Sequence, residues 1–471
     1  MKWNRRRFLA ASGAAALGSA TLASARGQTS RETASRRAPA SSSARLFLTE
    51  DDGLKPSTLD RLPIEWHQAR LRALQAGLQE DGYAGILLSD PWNITYFTGL
   101  FFTSTERPFR VYLPADRLAA IWFHPGIDRD AVKTWWSTEA ESYFDFKHAE
   151  GGFPNEGRVQ QGASVDLFEW TLKGLKKRGF DGKRIATDFE PTRAQFATAS
   201  KVFTKETRLE SAADRCERMR MVKTQEELAL WRRAYRVFDD THAFARDLLL
   251  EKGTDLTDFE LGIAATEFGT NRLMESVKRD GAPHSAVGIS LGVECRVGRG
   301  TAYAHPNQFH HNRIERGRAL QIAGGVSIGG CGGELYRAFL IAPWTDHQKK
   351  VWTVSRDCCL MQKELSIEGV ACSTVAYQIH RHQVKEGMQK YVYHRPAHGM
   401  GMEGHQPPYL ALGDYTMLEP GMIFSVEPGL YDPENGFGVN FSDGFAVRAG
   451  GKPALQMSRL PWSEEWCLVK L

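Results

Sequence analysis

Histidine is concentrated in the second half of this chain. Eleven of its fourteen histidines lie at or beyond His242, and the densest group runs from His394 to His405. Three glycines, at positions 399, 401 and 404, separate His398 from His405 and permit close approach of the backbone. Because imidazole titrates near neutral pH and ligates metals, this segment predicts proton transfer or metal binding.

A single carboxylate ends an apolar segment downstream of these histidines. Residues Met422 to Val426 have the composition of a strand, and Glu427 follows them directly, before Pro428-Gly429. A carboxylate in this position is a metal ligand, an acid–base group or a solvated strand end. Considered together with the histidine cluster, it favours a functional site.

Two serine motifs resemble the nucleophile site of a serine hydrolase, but the residues that follow them do not fit that site. Ser290 and Ser327 each lie in a G-x-S-x-G pattern, which is a nucleophile elbow only when a helix follows the serine. Glycines follow both serines instead, so a serine hydrolase is not expected. The glycine run 329–333 lacks the Lys-Ser/Thr of a phosphate-binding loop and predicts a tight hairpin.

The elements that must position these residues alternate between helices and strands. Helices are predicted over 61–81, 165–177, 223–250, 257–274, 346–366 and 374–386, and Thr257 with Glu260 forms a capping box. Strands are predicted over 85–88, 111–113, 118–123, 184–187, 287–291, 320–322 and 422–426. The pattern indicates an α/β (α+β) protein, and a charged stretch at 214–220 places a domain boundary around 205–220.

Length, composition and charge exclude several classes of protein. The chain has 471 residues, of which 42% are hydrophobic and 25% charged, so we expect a globular protein of two domains. Beyond the N-terminus no apolar run reaches the ~18 residues of a membrane span. The first 45 residues carry a net charge of +8, so the remaining chain is near −4 within the total of +4. A nucleic-acid-binding surface is therefore not expected.

The N-terminus has the pattern of an export signal. Arg5-Arg6-Arg7-Phe8-Leu9 fits a twin-arginine motif, and a short apolar run leads to Ala23-Ser24-Ala25, an A-x-A cleavage site. We therefore predict a twin-arginine signal peptide over 1–25, export by the twin-arginine machinery, and a periplasmic or secreted mature protein without a membrane span. Residues 26–58 are predicted to form a flexible linker, because their Ser, Ala, Arg and Thr show no apolar period.

The seven cysteines form no C-x-x-C pair. A structural zinc site is therefore not expected, and the chain is too long to depend on a disulfide framework. Most of these cysteines are expected to be buried small hydrophobic residues. One or two disulfides stay open as an alternative.

Four segments, in order, resemble the pita-bread family of creatinase, aminopeptidase P and prolidase. They are Asn93-Ile-Thr-Tyr-Phe-Thr-Gly99, Arg218-Met-Arg-Met-Val-Lys223, His398-Gly-Met-Gly with His405-Gln-Pro-Pro, and Glu419-Pro-Gly-Met422 with Val426-Glu427-Pro-Gly. The resemblance implies a creatinase-like N-terminal domain over 59–210 and a pita-bread catalytic domain over 211–471. By the same resemblance we expect a homodimer.

The resemblance also implies the ligands of a metal pair, and here the chain departs from the family. The family's two Asp, one His and two Glu fall on Ala323, Glu334, His398, Glu427 and Ser442. Alanine and serine cannot replace carboxylates that hold two ions together, so a dinuclear site is not expected. We expect either no cofactor or one divalent metal ion, held by Glu334, His398 and Glu427.

Creatinase works on this scaffold without metal, through a histidine that falls on His305. We therefore expect His305 to act as general base or acid, and His398, His405 and Glu427 to complete the catalytic set. The residues expected to bind substrate are Glu334, Tyr336, Arg337 and Arg395. Tyr336 stands where creatinase has its substrate-binding Glu, so a creatine-like guanidinium substrate is not expected.

These residues predict an exported hydrolase similar to aminopeptidase P and creatinase. Its substrate would be a small molecule or short peptide, and it would break a C–N bond in an amino-acid-like or dipeptide-like molecule, without the metal pair. Two alternatives stay open. One is a non-catalytic binding protein on the same fold, and the other is a lyase that uses no metal or a single ion.

Overall fold

The computed structural model describes residues 41–49, 54–136, 139–278, 286–305 and 311–471. The predicted signal peptide over 1–25 and residues 26–40 of the predicted linker lie outside these ranges. Residues 41–471 form one compact unit. Within the described residues, no helix is both long enough and apolar enough to cross a membrane.

The first part of this unit is built around a single mixed sheet. Its strands are β1 (Gly85–Leu88), β2 (Arg110–Pro114), β3 (Ile121–Pro125), β4 (Glu139–Tyr143), β5 (Arg184–Thr187) and β6 (Arg208–Ser211), in the order β4-β3-β2-β1-β5-β6. The accompanying helices are α1 (Ile64–Glu80), α2 (Pro91–Thr98), α3 (Arg129–Lys133), α4 (Leu167–Lys177) and α5 (Arg193–Val202). Strand β1 is buried along its whole length, as its apolar sequence predicts.

The second part contains long helices, several of which begin with capping boxes. Its helices are α6 (Ala213–Met221), α7 (Gln225–Lys252), α8 (Asp258–Ser276), α9 (Asp346–Leu365), α10 (Cys372–Lys385) and α11 (Glu464–Cys467). The predicted capping box of Thr257 and Glu260 is confirmed at the start of α8, and Thr224 with Glu227 forms another on α7. Each of the six predicted helices lies within three residues of an observed one at both ends.

Two sheets of this second part carry the candidate functional residues. The first has the order β18-β10-β8-β7, with β9 paired to β8, and the second has the order β12-β11-β13-β16-β17. The strands are β7 (Ser290–Val297), β8 (Ala319–Ile328), β9 (Cys331–Glu334), β10 (Arg337–Ile341), β11 (Ala397–Gly399), β12 (Gln406–Leu410), β13 (Ile423–Val426), β14 (Leu430–Asp432), β15 (Phe437–Val439), β16 (Gly444–Ala446), β17 (Leu455–Gln456) and β18 (Leu468–Val469). The prediction of a strand over 287–291 captures only the start of β7, because Gly292 interrupts the apolar pattern.

The glycine run and the two serine motifs take the places the sequence predicts. Gly329 and Gly330 form the two-residue turn between β8 and β9, both with positive φ, which confirms the tight hairpin. Ser290 and Ser327 lie opposite each other on β7 and β8, with their hydroxyl oxygens 2.9 Å apart. Neither serine precedes a helix, so neither forms a nucleophile elbow.

Residues 41–49, which we name the N-terminal strap, pack against helix α7 and the end of the chain. A short 3-10 helix spans Ser42–Leu46, and the hydroxyl groups of Ser41, Ser42 and Ser43 all donate to the Asp247 carboxylate. The Phe47 ring lies against Trp466, with ring centroids 6.1 Å apart. The strap falls within the range predicted as a flexible linker, and these residues of it are bound to the folded body.

All seven cysteines are buried and unpaired, as small hydrophobic residues are expected to be. Arg337, by contrast, is a charged residue in the same interior. Its guanidinium donates to the Asp443 carboxylate at 2.7 Å and to four backbone carbonyls, and it lies 3.9 Å from the Trp462 ring. Both members of this ion pair are fully buried. The predicted substrate-binding role of Arg337 is therefore corrected, since its donors are already taken up by the fold.

We expect Arg337→Met to lower the free energy of unfolding by about 3–5 kcal/mol, because it leaves the Asp443 charge buried without a partner. Chemical denaturation measures this difference. The control is Arg218→Met, which breaks an exposed ion pair with Glu419 and should cost less than about 1 kcal/mol. Equal, small losses in the two variants would contradict the structural role.

Candidate active site

A cavity of about 420 Å³ collects most of the residues that the sequence singles out. The predicted residues that line it are His305, Glu334, Tyr336, Arg395, His398, His405 and Glu427. Arg337 is the one predicted site residue that does not line it, because its guanidinium is buried and bonded to Asp443. Residues from strands of both sheets and from the connecting segments therefore converge on one polar cavity.

The pairing of the strands explains this convergence. His398 lies on β11 directly opposite Ser425 of β13, and Glu427 follows the end of β13. Glu334 ends β9 and is joined to the second sheet by the bridge between Tyr336 and Ser442. The carboxylates of Glu334 and Glu427 both lie within 4 Å of His398 Nε2.

His398 presents an unshared lone pair to the two carboxylates. Its Nδ1 lies 3.1 Å from the carbonyl oxygen of Gly399, which can only accept, so Nδ1 carries the proton. Its Nε2 lies 3.8 Å from Glu334 and 3.7 Å from Glu427. This nitrogen is buried and has no hydrogen-bond partner among the described residues. Since burial also lowers the pKa of His398, Nε2 is available to a metal ion or a proton donor.

His405 is stacked on His398. The ring centroids are 3.7 Å apart and the planes differ by 13°. Burial and the neighbouring His398 lower the pKa of His405. Two imidazoles in this arrangement are stable as neutral rings and repel each other when both are charged. Both rings are therefore favoured as neutral imidazoles, each of which offers one lone pair to a hydrogen-bond donor or a metal ion.

Glu334 and Glu427 form a coupled pair of acids. Burial and the charge of Glu427 raise the pKa of Glu334 to about 7. Burial also raises the pKa of Glu427, against the effect of hydrogen bonds from Glu334 and Ser425. One of the two carboxyl groups thus holds a proton near neutral pH and the other is ionised.

Two small residues stand where the resemblance implies carboxylate ligands. Ala323 lies opposite Glu294 in the β7–β8 pair, so its methyl group faces the cavity side of the sheet. The Ser442 hydroxyl lies 2.9 Å from that of Ser425, which donates to Glu334 at 3.3 Å. A short chain of hydrogen bonds therefore takes the place of a bridging carboxylate.

The residues present fit one metal ion and do not fit a pair. Ligand atoms of Glu334, His398 and His405 lie within 4.8 Å of one another, and the unpartnered His398 Nε2 points among them. Two imidazoles and one carboxylate suffice for a single divalent ion, and the Glu427 carboxylate lies 3.7 Å from His398 Nε2. A pair needs more anionic ligands than Ala323 and Ser442 leave.

Two arginines, Arg296 and Arg395, also line the cavity. Among the described residues, no carboxylate lies within ion-pair distance of Arg395, whose guanidinium is 4.5 Å from the Tyr409 ring. Arg296 is held by Glu294 at 3.3 Å and donates to the Tyr303 carbonyl oxygen. Arg395 is therefore the guanidinium most available to a carboxylate or carbonyl group of a ligand.

Six further residues line the cavity that were not predicted as site residues. They are Glu294, Arg296, Ala304, His394, Tyr431 and Asn440. A signal for His394 exists, because it lies four residues before His398 in the same cluster. Tyr431 lies four residues after Glu427, and no pattern in the sequence marks it, since its position depends on the turn that follows β13.

The fold and this site define a two-domain protein of mixed α/β structure with a pita-bread catalytic domain. Residues 229–449 match the Metallopeptidase family M24, and residues 70–222 match the Creatinase/Prolidase N-terminal domain. The chain belongs to the pita-bread family of creatinase, aminopeptidase P and prolidase, as the sequence predicts.

Relatives in sequence carry the names of dipeptidases. The chain is 26% identical to an Xaa-Pro dipeptidase from Lactobacillus delbrueckii subsp. lactis, over 83% of this chain and 97% of that protein. It is 24% identical to a probable dipeptidase PepE from Mycobacterium tuberculosis, over 79% of this chain and 90% of that protein.

Solved structures share the fold at low identity. A prolidase from Thermococcus sibiricus has a TM-score of 0.68 at 20% identity, covering 86% of this chain and 99% of its own. The N-terminal domain of FACT complex subunit SPT16 from Cicer arietinum has a TM-score of 0.64 at 13% identity, covering 86% and 99%. Likeness at this level shows the fold alone and not the reaction.

We expect the pH dependence of stability to report the coupled acids. The pKa of Glu334 is raised from 4.5 to about 7, so the folded state holds a proton that the unfolded state releases between these values. Stability should therefore fall as the pH rises through this window. Glu334→Gln cannot ionise, and between pH 4 and pH 8 it should gain roughly 2–3 kcal/mol relative to the wild type.

Chemical denaturation at both pH values, with a chelator present, measures this gain. The exposed Glu364→Gln is the control and should follow the wild type at both pH values. A Glu334→Gln variant that also follows the wild type would contradict the coupling.

Proposed function

We propose that this protein is a hydrolase that breaks a C–N bond in a small amino-acid-like or dipeptide-like molecule. The observation that carries the proposal is the cavity itself, in which the lone pair of His398 Nε2 and two coupled carboxyl groups face each other, with Arg395 on the wall. A volume of about 420 Å³ suits a substrate of dipeptide size. The relatives named as Xaa-Pro dipeptidases support the same class of substrate.

Different residues of the cavity bind the substrate and transfer the protons of hydrolysis. Arg395 binds the carboxylate or carbonyl oxygen of the substrate by charge-assisted hydrogen bonds. The ionised member of the Glu334–Glu427 pair accepts a proton from the attacking water, and the protonated member keeps the other in place. His305, which is exposed at the cavity, donates a proton to the leaving nitrogen.

The proposed site binds at most one metal ion. Glu334, His398 and Glu427 would hold it, with His405 close by. The ion would supply a Lewis acid that polarises the carbonyl group of the scissile bond. The chain's own residues still bind the substrate and move its protons.

We expect His305→Ala to lower kcat for the dipeptide Ala-Pro by about 10²–10⁴-fold, because it removes the proton donor to the leaving nitrogen. The assay follows free proline and the uptake of ¹⁸O from labelled water, which only hydrolysis produces. The control is His311→Ala, a histidine outside the cavity, which should leave kcat unchanged.

Two results would contradict the hydrolase. Product formation without ¹⁸O would favour the lyase, and binding of Ala-Pro without turnover under any condition would favour the non-catalytic binding protein.

We expect elemental analysis of the purified wild type to find no more than one divalent ion per chain. The double variant Ala323→Asp with Ser442→Glu restores the two carboxylates and should bind two ions. The matched control, Ala323→Asn with Ser442→Gln, has similar shape without the charge and should bind no more than the wild type. Two ions per chain in the wild type would overturn the assignment of ligands.

The proposal includes export and self-association. The twin-arginine pattern at the N-terminus supports a periplasmic or secreted location, with the twin-arginine machinery as partner. Membership of the family supports a homodimer. Both stay predictions from the sequence.

A further inference from the structure

The hydrogen bonds of His394 fix the direction of a bond to Tyr431. His394 Nδ1 lies 2.8 Å from the carbonyl oxygen of Arg395, and its Nε2 lies 2.9 Å from the Tyr431 hydroxyl. A carbonyl oxygen only accepts, so Nδ1 carries the proton. The neutral imidazole then accepts at Nε2, and Tyr431 donates its hydroxyl proton to it.

The surroundings keep both groups in these states. Burial lowers the pKa of His394, so the ring is neutral. Burial and the charge of Glu427 raise the pKa of Tyr431, so the phenol keeps its proton. With that proton committed to His394, the Tyr431 oxygen presents only lone pairs to the cavity.

Close packing holds the Tyr431 ring in this position. A Cβ atom at Gly429 would lie 2.4 Å from the Tyr431 hydroxyl oxygen, and one at Gly438 would lie 3.0 Å from the ring. The ring of Tyr393 stacks on the other side, with centroids 5.4 Å apart. The hydroxyl oxygen is therefore a fixed acceptor rather than a rotating one.

The cavity that Tyr431 lines carries other acceptors. His398 Nε2 is an unpartnered lone pair, and Glu427 brings a carboxyl group beside it. A protonated amino group offers three N–H donors and one positive charge, which matches this set. Arg395 then remains for the carboxylate at the other end of the molecule.

We propose that Tyr431 is a specificity-determining residue that accepts a hydrogen bond from the α-ammonium group of the substrate, and that His394 positions it by taking its hydroxyl proton. The substrate class is thereby narrowed to molecules with a free amino terminus and a carboxylate at dipeptide distance. This inference rests on the proposed function for the reaction that follows, while the recognition itself is a binding property.

The test compares two probes by isothermal titration calorimetry on the full-length protein. Ala-Pro carries the ammonium group, and propionyl-proline has the same shape without it. We expect the wild type to prefer Ala-Pro, and Tyr431→Phe to bind Ala-Pro about tenfold more weakly with less than a twofold change for propionyl-proline. Tyr393→Phe removes a hydroxyl from the stacked neighbour and is the matched control, with both affinities unchanged.

A pair of variants tests the positioning role of His394. Glutamine at this position offers an acceptor oxygen where Nε2 lies, so His394→Gln should keep the preference for Ala-Pro. Leucine offers none, so His394→Leu should lose most of that preference while its affinity for propionyl-proline stays. A merely structural role would weaken both probes together in His394→Leu.

The outcomes separate this inference from the proposed function. Selective loss of Ala-Pro binding in Tyr431→Phe supports the inference even if the wild type hydrolyses neither probe, in which case only the proposed reaction fails. Equal loss of both probes, or no loss, overturns it. Failure of the wild type to prefer Ala-Pro, or to bind either probe at millimolar concentration, also overturns it.

Discussion

Two carboxyl groups buried in one cavity repel each other, and the composition of the cavity follows from the need to offset that repulsion. Glu334 and Glu427 each lie within 4 Å of His398 Nε2, and one proton is retained between them near neutral pH. The positive charges of Arg296 and Arg395 favour the ionised form of Glu427. Acids, imidazoles and guanidinium groups therefore form one electrostatic unit, and removing any of them changes the protonation of the rest.

The charged groups of the cavity are held in place by a backbone bridge and a buried ion pair that take no part in the reaction. The bridge between Tyr336 and Ser442 connects the two sheets, with backbone hydrogen bonds of 3.0 and 3.2 Å. Arg337 donates to the Ser442 carbonyl oxygen and to Asp443, and so fixes the same junction from the opposite side. Breaking this ion pair would leave a buried charge without a partner. The pair therefore holds the junction, and with it the two carboxyl groups, in a fixed position.

The sequence predicts the elements and most of the site because both have local signals. The capping box at Thr257, the hairpin at Gly329-Gly330 and the histidine cluster are all set by residues a few positions apart. The role of Arg337 could not be predicted this way, since its partners Asp443 and Trp462 are more than 100 residues distant. Tyr431 was missed for a similar reason. Its function depends on a hydrogen bond to His394, which only the folded sheet brings within 2.9 Å.

The N-terminal strap has a consequence for how the chain is assembled. Its binding surface includes Asp247 of helix α7, the Arg459 carbonyl oxygen and the Trp466 ring. Arg246 connects these regions, because it donates both to the Ser43 hydroxyl and to the Trp466 carbonyl oxygen. During synthesis the strap emerges long before its binding surface is complete, because that surface includes Trp466. The strap can therefore make its full set of contacts only when nearly the whole chain has been synthesised.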